Sequence, residues 1–193
     1  MSSAKQFLFI VLTFALHGIA NGQSCAGLGS QDFSDIIYVS VTGSSAAQGT
    51  TDDPTDLLTA IGMLGGNSDK IYMQSGTYVL SNALNMPSDA QIIGGFNTDW
   101  VKDNTGITTI FRDPNNSQTG PPRLIAIQCI GQSNFRLQDL TIRTSGALGQ
   151  GVTTYGLYLN NCADYNIVRC DIIAGNGGHG NPGGCWSTRP DRC

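Results

Sequence analysis

Apolar and polar positions alternate in the same order in two stretches of the chain. When 133–144 (SNFRLQDLTIRT) is set above 163–174 (ADYNIVRCDIIA), an offset of 30 residues, Phe135 falls on Tyr165 and Leu137 on Ile167. Leu140 falls on Cys170 and Ile142 on Ile172, while the polar positions between them vary. Carried backwards at the same offset, Ile127 falls on Leu157 and Cys129 on Leu159. Side chains on a strand alternate between its two faces, so each copy reads as strands with one apolar face. A repeat that cannot bury that face alone must stack on its neighbours, which predicts a parallel β-solenoid with a narrow shared core. A β-sandwich is the competing fold. Tight hairpin signals between the strands are scarce, which disfavours it.

Further β-like runs cover 36–41, 70–73, 77–80, 91–93, 108–111, 124–130, 135–143, 156–159 and 165–173, separated by Gly, Asn, Asp and Pro. One helix is expected, over 57–64. Leu57, Leu58, Ile61 and Leu64 have helical spacing, Asp53 is the candidate N-cap, Pro54 lies in the first turn and Gly65-Gly66 forms the stop. Composition sharpens the all-β reading. The 193 residues hold fourteen acids, every one Asp, with no Glu and only three Lys (Lys5, Lys70, Lys102). Long charged side chains that solvate helices are therefore scarce, and 25 Gly with abundant Asn, Ser and Thr suit turns. A net charge of −4 gives no basic footprint for nucleic acid or an anionic membrane.

The first 22 residues read as an address. Lys5 precedes the apolar run from Phe7 to Leu16, long enough for a signal-peptide core and too short for a bilayer span. Small residues in Ala20-Asn21-Gly22 predict cleavage before Gln23, leaving a solenoid domain over 23–174 and a Gly/Pro-rich tail or inter-coil loop over 175–193. An uncleaved anchor is the other reading. All six cysteines, Cys25, Cys129, Cys162, Cys170, Cys185 and Cys193, lie beyond that site. In an exported chain they are disulfide candidates with fifteen possible pairings, although Cys129 or Cys170, on strands, suit buried small hydrophobes. Without a CxxC pair, and with only His179 in the mature chain, zinc is not expected. Asn115-Asn116-Ser117 is the one glycosylation sequon, making Asn115 the candidate acceptor in a loop beside Pro114 and Pro121.

Ile71-Tyr72-Met73-Gln74-Ser75-Gly76-Thr77-Tyr78, then Ile92-Ile93-Gly94-Gly95-Phe96-Asn97 and Trp100, resemble the opening coils of secreted right-handed parallel β-helix proteins of the pectin-lyase-like superfamily. The segment from Pro54 to Ile61 resembles the helix that caps the N-terminal end of such solenoids, and Tyr158 to Ile167 resembles one of their coils. The resemblance spans roughly 36–180. It implies a right-handed β-helix of few coils with a short N-terminal cap. It does not imply an activity, because that fold carries lyases, hydrolases, adhesins and scaffolds alike.

Two kinds of sugar chemistry place distinct demands on the residues. Hydrolases of the polygalacturonase type pair two Asp one coil before a Gly-His-Gly. Gly178-His179-Gly180 is present, but the preceding coil offers Tyr155-Gly156-Leu157-Tyr158 in place of the acids. Asp164 and Asp171 are separated by a strand, with nothing to make them face each other. Lyase chemistry needs Asp to bind Ca²⁺ and Arg as base. Asp139, Asp164 and Asp171 with Arg136, Arg143 and Arg169 supply those types, but odd spacings point Arg136 away from Asp139 and from Arg143. These charges are read as an exposed outer wall. Asn176-Gly177-Gly178-His179-Gly180-Asn181 is a single degenerate copy of a calcium turn, read as a flexible loop. Trp100, Tyr155, Tyr158 and Trp186 are aromatics that stack on sugars in other settings, with Trp100 expected to pack near the cap. No cofactor motif is found.

The expected function is therefore a secreted, non-catalytic protein of the cell surface or extracellular matrix whose partners are extracellular polysaccharide or matrix proteins, with no nucleic acid and no membrane after cleavage. A polysaccharide lyase or glycoside hydrolase is the alternative, and calcium or mineral association through Asp is a third. The apolar-poor segment 175–193 makes a poor cover for a solenoid end. The expectation is a fragment of a longer protein, a tail tied back through Cys185 and Cys193, or an edge covered by another chain.

Overall fold

The computed structural model describes residues 36–65, 68–103 and 105–180. The expected leader (1–22), Cys25, Cys185, Trp186 and Cys193 lie outside these residues. The described chain is a parallel β-solenoid of roughly four turns with one short helix. Three turns each lay down three strands: β2 (Lys70–Gln74), β3 (Gly76–Leu80) and β4 (Leu84–Asn85); β5 (Gln91–Phe96), β6 (Thr108–Arg112) and β7 (Arg123–Ile130); β8 (Arg136–Gln138), β9 (Thr141–Thr144) and β10 (Thr153–Asn160). Strand β1 (Ile36–Val39) precedes them, and β11 (Asn166–Val168) with β12 (Asp171–Ile173) begins a further turn. The strands stack into three sheets, ordered β1-β2-β5-β8-β11, β3-β6-β9-β12 and β4-β7-β10.

The offset of 30 seen in the sequence is the physical register of the last two turns. Leu137 pairs with Ile167, Ile142 with Ile172, Ile127 with Leu157 and Cys129 with Leu159. Phe135 and Tyr165 stack with ring centroids 5.4 Å apart. These pairs belong to longer aliphatic ladders. Ile37, Ile71, Ile92 and Leu137 follow one another up the first sheet, and Tyr78, Ile110 and Ile142 up the second, all buried. Earlier turns differ in length, with Lys70, Gln91, Arg136 and Asn166 in register but 21, 45 and 30 residues apart. The extra chain leaves as loops at the corners, and the ladders remain aligned.

The corners are built from left-handed residues in register. Asp89, Asn134 and Asp164 (φ 58°, 56° and 49°) stand one above another before the first sheet, and Gly131 and Asn161 (φ 70° and 55°) follow the third. Asp139 and Arg169 (φ 55° and 49°) turn the chain from the first sheet to the second. Asn and Asp tolerate this conformation better than other side chains, which gives the Asn- and Asp-rich composition its structural use. These corners split the runs expected as single strands: 135–143 becomes β8 and β9, and 165–173 becomes β11 and β12.

Helix α1 (Leu57–Met63) forms as expected, but Asp56 caps it, not Asp53. The Asp56 carboxylate accepts from the Thr59 N–H at 3.0 Å and its hydroxyl at 2.6 Å. Thr55 is held extended by a parallel bridge to Val39, so the helix cannot begin earlier, and Asp53 instead accepts from the Gln48 N–H. The helix buries Leu57 and Ala60, with Ile61 and Leu64 partly covered, while Leu58 points to solvent at 61% exposure. The segment 49–55 occupies the outer edge of β1: Tyr38 N–H donates to Gly49 O, Thr55 N–H to Tyr38 O and Ser40 N–H to Thr55 O. The N-terminal end of the stack is thus covered on both its edge and its core. At the other end, among the described residues, nothing pairs with the outer edges of β10, β11 and β12, and Ile172 and Ile173 are 45% and 46% exposed.

Candidate functional site

The corner between the first and second sheets carries a groove that crosses three turns. A long loop after β5 supplies Lys102 and Asp103, the β8–β9 corner supplies Asp139, and the β11–β12 corner supplies Arg169 and Asp171. Asp139 and Arg169 meet because each occupies the same left-handed corner position on successive turns. Arg169 grips the carboxylate with both forks of its guanidinium, Nε at 2.6 Å from Oδ1 and Nη2 at 3.0 Å from Oδ2. Lys102 reaches Oδ2 from the loop at 2.5 Å, and Gln138 Nε2 donates to it at 3.0 Å. The Lys102 ammonium also donates to the Gly94 carbonyl and sits 4.6 Å from the Phe96 ring centre. Gly94 lets the β8–β9 corner lie close against β5, since a Cβ there would come within 2.5 Å of the Asp139 carbonyl oxygen.

Electrostatics follow from that packing. Burial raises the Asp139 pKa, but the donors on Arg169, Lys102 and Gln138 outweigh it and hold the carboxyl far below the usual range. The same hydrogen bond raises Arg169 above its ordinary value. Asp103, bonded by the Thr105 hydroxyl and N–H, is also lowered. A general acid must hold a proton near neutral pH, and a general base must be unprotonated there yet basic enough to take one up. Asp139 and Arg169 are pushed away from both roles, because each neutralises the other.

The remaining nominated residues are dispersed. Asp164 is an exposed turn residue at a different corner of the last turn, so it does not face Asp171. Arg136 donates to Gln138 Oε1 and lines a separate recess with Asp69, Asp89 and Asn166. Arg143 is exposed over the Phe111 ring. His179 is exposed in a loop whose backbone packs on a neighbouring one: Gly151 N–H donates to His179 O and Gly178 N–H to Val152 O. A Cβ at Gly178 would come within 1.8 Å of Gly149 O, so that glycine serves close packing. Trp100 packs edge-on against Tyr38 and donates its indole N–H to Thr51 O, beside the cap. Tyr155 and Tyr158 contact each other edge to face, with Arg123 over Tyr158. Among the described residues, no three His, Cys, Asp or Glu side chains converge as a metal set.

Sequence reasoning missed Lys102, which is 37 residues from Asp139 and comes from a loop. It also missed Arg112, a fully buried cation whose Nη1 donates to Leu80 O, Asp113 O and Asp113 Oδ1, and whose Nη2 donates to Asn115 O and Asn116 O. That clasp fixes the sequon loop, leaving Asn115 and Ser117 exposed. The described cysteines, Cys129, Cys162 and Cys170, are thiols in this structure; Cys129 and Cys170 pack into or against the core as small hydrophobes. No protein-family model matches the chain, and neither curated proteins nor solved structures yield a match.

Proposed function

We propose that this chain is a secreted, non-catalytic β-solenoid of the cell surface or extracellular matrix, of the pectin-lyase-like type, that holds or binds other extracellular polymers. The observation that supports this most is the state of Asp139. In the groove that gathers Asp139, Arg169 and Asp171, the central carboxylate is consumed by Arg169, Lys102 and Gln138. It clasps three turns together and has no free role in proton transfer. The leader-like residues 1–22 and the exposed sequon at Asn115 support an exported, glycosylated protein.

The test is an assay of the purified chain on a panel of acidic polysaccharides with and without Ca²⁺, followed by co-sedimentation with the same polymers in insoluble form. Binding without new reducing ends or unsaturated products is expected. Robust turnover would overturn the reading in favour of a lyase or hydrolase. Glycosylation is checked by enzymatic deglycosylation of the secreted protein, where Ser117→Ala should abolish the mass change.

A further inference from the structure

The third turn lies on the second with two sulfur atoms in contact. Cys129 is on β7 and Cys162 follows β10, one turn further on, and their Sγ atoms are 3.0 Å apart. The backbone on both sides is already held. Cys129 is in register with Leu159, Gly131 N–H donates to Asn160 O at 2.9 Å, and Ala163 N–H donates to Gln132 O at 3.2 Å. A disulfide needs sulfurs about 2.05 Å apart, about 1 Å closer than these two stand. We infer that Cys129 and Cys162 form an intramolecular disulfide that staples adjacent turns of the solenoid. This rests on the proposed secretory route, which supplies an oxidising compartment.

The two thiols are suited to ordered exchange. Burial raises the Cys129 thiol to about 12. Burial opposes ionisation of Cys162 as well, but the hydrogen bond shared with Cys129 and the surrounding backbone lower it, and it is the more exposed of the two. Cys162 thiolate attacks a disulfide sulfur of an oxidising partner, either a disulfide oxidoreductase or oxidised glutathione. That partner's S–S bond breaks, one of its thiolates leaves, and a mixed disulfide remains on Cys162. Cys129 then loses its proton and displaces the second thiolate. Two protons and two electrons leave the protein, and the oxidant is reduced to two thiols. Of the fifteen pairings of six cysteines, three remain once this one is fixed, among Cys25, Cys170, Cys185 and Cys193.

The experiment uses the full chain expressed through a secretory host, alkylated in denaturant without reductant and digested with trypsin. Cleavage after Arg123, Arg136, Arg143 and Arg169 places Cys129, Cys162 and Cys170 on three separate peptides. The expected product is one species linking 124–136 to 144–169, which disappears on reduction. Alkylation of both cysteines, or linkage of either to a different cysteine, overturns the inference. Purified reduced chain incubated with oxidised glutathione separates the two proposals: the same linkage must form there even if the chain proves not to be exported. The Cys129→Ser, Cys162→Ser double variant should melt roughly 5–15 °C lower than the oxidised protein.

Discussion

Asp139 is a side chain whose value depends on its charge. Its folded-state pKa lies below the unfolded carboxylate value of about 3.9, so its contribution to stability is fully present above that pH and is lost as pH falls through the folded value. Asn at this position keeps the tolerance for left-handed backbone and removes the charge together with one acceptor oxygen. Asp139→Asn should therefore cost about 1–2 kcal/mol at pH 7, after discounting for the solvent-exposed Arg169, and the difference should begin to narrow below about pH 4 and close only as pH falls through the much lower folded value. Urea midpoints at pH 7, 5 and 3 check this: the gap should be equal at pH 7 and 5 and smaller at pH 3, and a gap unchanged at pH 3 contradicts it. Arg112 is a different case, because its cost is polar burial. Arg112→Met removes the donors to four backbone carbonyls, one in a buried contact and three partly buried, and breaks the ion pair with Asp113, so a loss of about 3 kcal/mol is expected in chemical denaturation.

Helix α1 offers a test at the scale of one element. Asp56→Ala should lower stability by about 1 kcal/mol, whereas Asp53→Ala should leave the helix intact, as read by denaturation midpoints. The helix itself was legible, as were the strands, because apolar spacing writes burial directly into the chain. Its N-cap was not, since the parallel bridge from Thr55 to Val39 is a tertiary contact. The repeat was legible only where two turns have equal length. Ile92 belongs to the same ladder as Leu137 and Ile167, but an offset of 45 hid it. The corners were not legible because Asp139-Leu140 and Arg169-Cys170 carry no Gly or Pro to mark the left-handed φ there. The groove was half legible: Asp139, Arg169 and Asp171 were named, but their partner Lys102 enters from a loop whose position only the folded register decides.

At the scale of the whole molecule, stability is unevenly spread along the stack. Inner turns bury their ladders between two neighbours, while β11 and β12 have a neighbour on one side among the described residues and expose Ile172 and Ile173. In a quasi-one-dimensional array the last rung opens first. Hydrogen exchange by mass spectrometry should show amides of 166–168 and 171–173 exchanging well ahead of those in β5 and β6; equal protection would contradict this gradient. The unequal turn lengths have a consequence of their own. Each turn advances the stack by one inter-strand spacing, about 4.8 Å, whether it uses 21, 45 or 30 residues. Distance along the axis is therefore counted in turns and not in residues, and groups such as Lys102, Asp139 and Arg169 fall on successive marks of a fixed scale. The chain behaves as a ruler: inserted residues thicken it, and only an added turn makes it longer.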